Sequence, residues 1–184
     1  MINVEVNKLV ELAEKQKSLD CLCYEKAGIK EYDNNVKYLC LAVELGELAN
    51  EVQVWKYWKA NKNIDKSKIK KEFADCLHFA LSNLNHFTKA QDGESGKRRR
   101  VRLIKMALEE YEYFKTFMVS KEEKDEFLIE ELTGAFRHVN NGFSYKSLEH
   151  LLNIGHLLDM TFDDMVEAYN EVYADNLMRV QGDY

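Results

Sequence analysis

Residues 44–59 read E-L-G-E-L-A-N-E-V-Q-V-W-K-Y-W-K, and residues 71–82 read K-E-F-A-D-C-L-H-F-A-L-S. Glu44 and Glu47 are three apart, and so are Glu72 and Asp75. Side chains at i and i+3 share a helix face, so each pair sets two carboxylates side by side on a helix. Leu39, Leu41, Val43 and Leu48 flank the first pair, and Phe73, Leu77, Phe79 and Leu81 flank the second. Carboxylates at an apolar face are costly unless they are paired or bound to a metal. No Lys or Arg stands within one turn of Glu44 or Glu47. Four oxygen donors on two antiparallel helices make a cage for a hard cation, with Mg²⁺ the usual occupant beside phosphates. One E-x-x-E alone is an ordinary solvated helix, since Glu is a strong helix former. A second pair at the same spacing, in the most apolar part of the chain, is what points to a site.

The rest of the chain supports helices. Its 184 residues include no Pro and eight Gly, and helix interiors exclude Pro. That length predicts one domain, over 1–184, with a single core. A net charge of -6 argues against a general nucleic-acid binder. No apolar run is long enough to span a membrane, and the amphipathic, mildly acidic start is not a signal peptide. Cys21, Cys23, Cys40 and Cys76 lack zinc-finger spacing and read as reduced core residues of a cytoplasmic protein.

Apolar periodicity predicts an all-α bundle of about six to seven helices. The first covers about Val4 to Ala27 and stops at Gly28. The second runs from about Asn34 to Ala60, carries Asn50, and ends on Lys56 and Lys59, where cations suit the helix dipole. A polar break follows, and the third helix spans about Ser67 to Ala90. Residues 91–97 read as a loop. The basic run from Lys97 to Arg102 reads as solvated surface opening a helix of about Val101 to Val119. Another helix covers about Glu122 to Asn140. After Asn140-Asn141-Gly142, Ser144 caps a short helix to about Leu158. Thr161, with Asp164 at the third helical position, opens the last helix as a capping box. That helix holds Tyr169, Asn176 and Arg179. Trp55 and Trp58 are candidate anchors of a core or a dimer contact. His78, one turn after Asp75, is either a core histidine or a group that orients a carboxylate.

E-x-x-E followed by E-x-x-D resembles the all-α nucleoside triphosphate pyrophosphohydrolases, which include MazG-like enzymes and the dimeric dUTPases. Trp55 to Lys59, the D-C-L-H-F-A-L-S of residues 75–82, and Asn176-x-x-Arg179 with Tyr184 lean toward the dimeric dUTPases. The resemblance runs from about Gln16 to the C-terminus and is weakest over 91–142. It implies Mg²⁺-dependent hydrolysis of dUTP, and of dUDP, to dUMP by a homodimer. Glu44, Glu47, Glu72 and Asp75 would hold the metal, with Glu44 taking the proton of the attacking water. Gln16 and Asp20 would lie near the uracil; the family often has Asn where Asp20 stands. Asn50, Lys56, Trp58, Lys59, His78, Tyr169, Asn176, Arg179 and Tyr184 would complete the nucleotide site. Val172, Tyr173 and Val180 depart from the family tail, which leaves the phosphate end poorer in polar and cationic groups.

Competing readings remain at this point. A MazG-like hydrolase acting on another base, such as dCTP, shares the acidic pairs. A di-iron bundle needs E-x-x-H on two helices, and Asp75-x-x-His78 is the nearest approach. A catalytically idle helical dimer that binds a protein partner needs none of this chemistry.

Overall fold

A computed structural model describes residues 2–89, 94–117, 119–120, 122–139 and 144–182. Tyr184, the Asn140-Asn141-Gly142 turn, Ala90 at the expected end of the third helix and residues 91–93 of the expected loop lie outside the described residues. The elements are α1 (Ile2–Ala27), α2 (Asn34–Val52), α3 (Lys66–Lys89), α4 (Glu94–Phe114), α5 (Lys124–Val139), α6 (Ser144–Leu157) and α7 (Phe162–Gln181). All regular structure among the described residues is helical, and none of the helices is long and apolar enough to cross a membrane.

The centre is α3, which packs against α1, α2, α4, α6 and α7. It can do so because Phe73, Ala74, Cys76, Leu77, Ala80, Leu81 and Leu84 bury apolar surface on more than one side. α5 lies against α6 and α2 at one edge. Gly28 ends α1 at φ 66°, a conformation that costs glycine little. Asp33 caps α2 by accepting from the Asn35 amide. The Thr161 box is complete, with Asp164 returning the bond to the cap amide.

Four expectations change. The second helix stops at Val52 rather than continuing to Ala60. Gln53 turns into the left-handed region at φ 58° and donates its N–H to the Ala49 carbonyl. Trp55 Nε1 donates to the same oxygen at 3.0 Å, and Lys56 Nζ reaches the Asn50 carbonyl at 3.3 Å. The W-K-Y-W-K segment therefore caps the helix from outside, and Lys56 and Lys59 are not its last turn. Second, α4 starts at Glu94, so the basic run is helical throughout. Third, that run is not wholly solvated. Arg100 is buried against Glu14 at 2.6 Å, and Arg99 lies over the Phe87 ring at 4.5 Å. Fourth, only Cys76 is a core thiol; Cys23 and Cys40 are half-buried and Cys21 is exposed, all of them free.

Candidate active site

Two neighbouring features share Asp75. The first is acidic. α2 and α3 pack along their lengths, so the E-x-x-E face of one meets the E-x-x-D face of the other. One oxygen each of Glu44, Glu72 and Asp75 lie within 4.8 Å of one another, and all three residues are half-buried. Glu47, a turn further along α2, is exposed and stands outside this cluster, although its charge acts on Glu44. Burial first, and then the charges of Asp75, Glu47 and Glu72, push Glu44 up to about 7.

The cluster's chemistry suits a hard divalent cation. Its donors are all carboxylate oxygens. Glu72 Oε2 is buried with no hydrogen-bond partner, an orphan that a cation would satisfy. The ammonium of Lys71 already bridges Glu72 at 3.1 Å and Asp75 at 2.9 Å. These contacts, the Asp75 bond first, raise the Lys71 pKa. Lys71 lies one turn before Asp75, so its pairing could have been read from spacing.

The second feature is a pocket of about 500 Å³ between α1, α2, α3 and α7. It takes Gln16 and Asp20 from α1, Asp75 and His78 from α3, and Asn176 and Arg179 from α7. Its inner end is a hydrogen-bonded chain. Asp20 accepts from Gln16 Nε2 at 2.7 Å and from the Ser82 hydroxyl at 2.6 Å. Gln16 Oε1 lies 2.6 Å from His78 Nδ1 and 3.0 Å from the Tyr169 hydroxyl. His78 Nε2 meets the Tyr169 carbonyl at 3.1 Å, and the two rings stack at 3.9 Å. Burial pushes His78 down to about 4 and raises the Asp20 carboxyl.

Not every expected residue reaches this pocket. Tyr169 is fully buried beneath it and touches the pocket through Gln16 and His78. Asn50, Lys56, Trp58 and Lys59 do not line it. Trp58 is 60% exposed and its ring packs edge-on to Trp55 and Tyr57. Ser82 joins the site although sequence reasoning passed over it. Asp75, His78 and Ser82 fall at i, i+3 and i+7, one helical face, so the signal was present. Lys37, a buried cation facing Glu31 and His86, carries no comparable sequence signal, because those partners come from other segments.

The family model dUTPase_2, described as dUTPase, matches residues 8–184. No curated protein sequence matches the chain.

Proposed function

Since the chain belongs to the all-α dimeric dUTPase family and hydrolyses dUTP as a dUTP diphosphatase, we propose that Glu44, Glu47, Glu72 and Asp75 hold Mg²⁺ beside the phosphates. The observation that carries this reading is the position of Asp75. It belongs both to the carboxylate cluster and to the wall of the pocket. A nucleotide lying along that wall puts its base at Gln16, Asp20 and His78 and its phosphates at the cluster. A cation held by these carboxylates would neutralise charge on the phosphate oxygens and make a water easier to deprotonate. Glu44 would take the proton of the attacking water as general base. Arg179, exposed at the mouth on α7, meets the outer phosphates, where a guanidinium binds two oxygens at once. Asn176, one turn away on the same face, positions the sugar or the phosphates.

The reading extends to dUDP, because the cluster and Arg179 need only a phosphate chain. Pyrophosphate or phosphate release across dUTP, dUDP, dCTP and dTTP tests it, with Mg²⁺ and with a chelator. Turnover of dUTP and dUDP that disappears on chelation is expected. Turnover indifferent to Mg²⁺ would sink the metal assignment, and a preference for dCTP would sink the reading of the base end.

The enzyme is further read as a homodimer. Val36, Leu39 and Val43 make an exposed apolar row on α2, and Trp55, Tyr57, Trp58, Ile129 and Phe136 are exposed where the α2 end meets α5. Lone chains seldom expose patches of this kind. Light scattering at micromolar concentration should return twice the 21.6 kDa chain mass, and a monomer mass would refute the dimer. Four free thiols fit a reducing compartment, and the reading places the enzyme in the cytoplasm.

A further inference from the structure

The inner end of the pocket poses a proton-counting problem. Six contacts join its groups: His78 Nε2 to the Tyr169 carbonyl, His78 Nδ1 to Gln16, the Tyr169 hydroxyl to Gln16 and to the Leu12 carbonyl, Gln16 to Asp20, and Ser82 to Asp20. Each contact needs one proton. With Gln16 Oε1 toward His78, a neutral imidazole supplies one proton. The Tyr169 hydroxyl, the Ser82 hydroxyl and the Gln16 N–H toward Asp20 supply one each. Two contacts are then left with lone pairs facing each other. A doubly protonated His78 fills one of these, but buries an imidazolium, and the second Gln16 N–H still has no acceptor among the six.

A half-turn of the Gln16 amide exchanges its oxygen and nitrogen without moving other atoms. Its two N–H groups then donate to His78 Nδ1 and to the Tyr169 oxygen. The Tyr169 hydroxyl donates to the Leu12 carbonyl, and His78 Nε2–H donates to the Tyr169 carbonyl. Gln16 Oε1 now faces Asp20 Oδ1, and that contact holds only if Asp20 carries a proton. Ser82 donates to the other Asp20 oxygen. Every contact has one proton and no member of the network is charged, the arrangement that costs least where His78, Gln16 and Tyr169 are buried.

We propose that Asp20 is a carboxylic acid at neutral pH, donating to Gln16, with His78 the neutral Nε2–H tautomer, so that the base meets an uncharged floor. Burial raises the Asp20 carboxyl and lowers His78, in the same sense. The charged and titratable groups lining the two pockets around Asp20 are Lys17, Cys21, Cys23 and Tyr24 on α1, Glu31 and Tyr32 before α2, Lys37 and Cys40 on α2, Asp75, His78, His86 and Lys89 on α3, Lys97 and Arg100 on α4, and Arg179 on α7. Lys37 favours the Asp20 anion and Glu31 opposes it. The proton assignment stands on the contacts alone. Its consequence for dUTP rests on the reading of the pocket given above: raising the pH ionises the network, breaks the Asp20–Gln16 bond and sets an anion beside the base.

Three measurements on the full chain separate the parts. In substrate-free protein at neutral pH, ¹³C NMR of the Asp20 carboxyl, assigned by loss of its signal in Asp20→Asn, tests the proton. A carboxylic acid is expected, and a carboxylate overturns the proposal. ¹⁵N NMR of the His78 ring, assigned by loss of its signals in His78→Asn, tests the tautomer. One bare Nδ1 and one protonated Nε2 are expected; an imidazolium, or the Nδ1–H tautomer, overturns the proposal. The KM for dUTP against pH then tests the consequence. Above the network's titration the competent fraction falls, so wild-type KM rises by up to about tenfold per pH unit. Asp20→Asn, which cannot ionise, removes that rise, while slopes from the carboxylate cluster remain in both proteins. Parallel profiles, with the NMR result as expected, overturn the role at the base while leaving the proton in place.

Discussion

Glu44→Gln lowers kcat for dUTP by about a thousandfold or more and, in metal-free protein at pH 8, raises the melting temperature. The two effects share one cause. Charge stabilisation at a metal-assisted phosphoryl centre supplies several kcal/mol of the barrier reduction, and each 1.36 kcal/mol is worth about a factor of ten. On the proposed reading the variant loses one anionic ligand and the proton acceptor together, which removes much of that. The stability effect has the opposite sign because Glu44 is strained without a cation. Its pKa rises from 4.5 to about 7 on folding, so between those values the native state binds more protons than the unfolded one. Native stability therefore falls as pH rises through that window, and the full penalty is present above about 7. Gln removes it. Calorimetry with a chelator should show the variant melting higher than wild type at pH 8, with the gap closing toward pH 4.5. Added Mg²⁺ should stabilise wild type more than the variant. Glu47→Gln should move both quantities in the same direction by less, since Glu47 is exposed and outside the cluster. Unchanged turnover together with no Mg²⁺ shift in either protein would mean that the acidic faces are only a solvated seam.

The parts of this site that could be read from the chain are those governed by local spacing. The two acidic pairs, the apolar stripes and the Thr161 box are all patterns within one or two turns, and helix geometry translates them directly into faces. What escaped reading depends on groups distant in sequence or on one backbone angle. The end of α2 turns on Gln53 entering the left-handed region, which Gln does not advertise. Arg100 looks like one cation of a surface run until Glu14, 86 positions away, receives it. The same holds for the pocket floor. Asp20 and Ser82 are 62 positions apart, and so are Gln16 and His78. From sequence Asp20 stands only where the family often has Asn; these contacts make it a half-buried acid whose proton matters.

Phe73→Ala should cost about 3–5 kcal/mol of stability, the range for removing a fully buried ring. Phe73 follows Glu72 immediately, so one step along α3 passes from the carboxylate cluster to the centre of the core. The ring is 0% exposed. It sits where α6 and α7 meet α3: a Cβ added at Gly155 would stand 3.1 Å from Phe73 Cζ and 2.5 Å from the Met165 terminal methyl. Gly155 lets the three helices meet at that distance, and Phe73 occupies what the missing side chain leaves. Ala at 73 opens a void lined by side chains whose helices are held by other contacts, so collapse is limited and the cavity term is retained. For a chain of this length each kcal/mol lowers Tm by roughly 2–4 °C, which makes the expected drop about 6–20 °C. Phe73→Leu, which keeps most of the volume, should lose less. Urea unfolding followed by circular dichroism reads the difference at constant m. A loss below about 1 kcal/mol for the alanine variant would be incompatible with α3 packed at the centre of the bundle, and with it the placement of Glu72 and Asp75 on the side of that helix that meets α2.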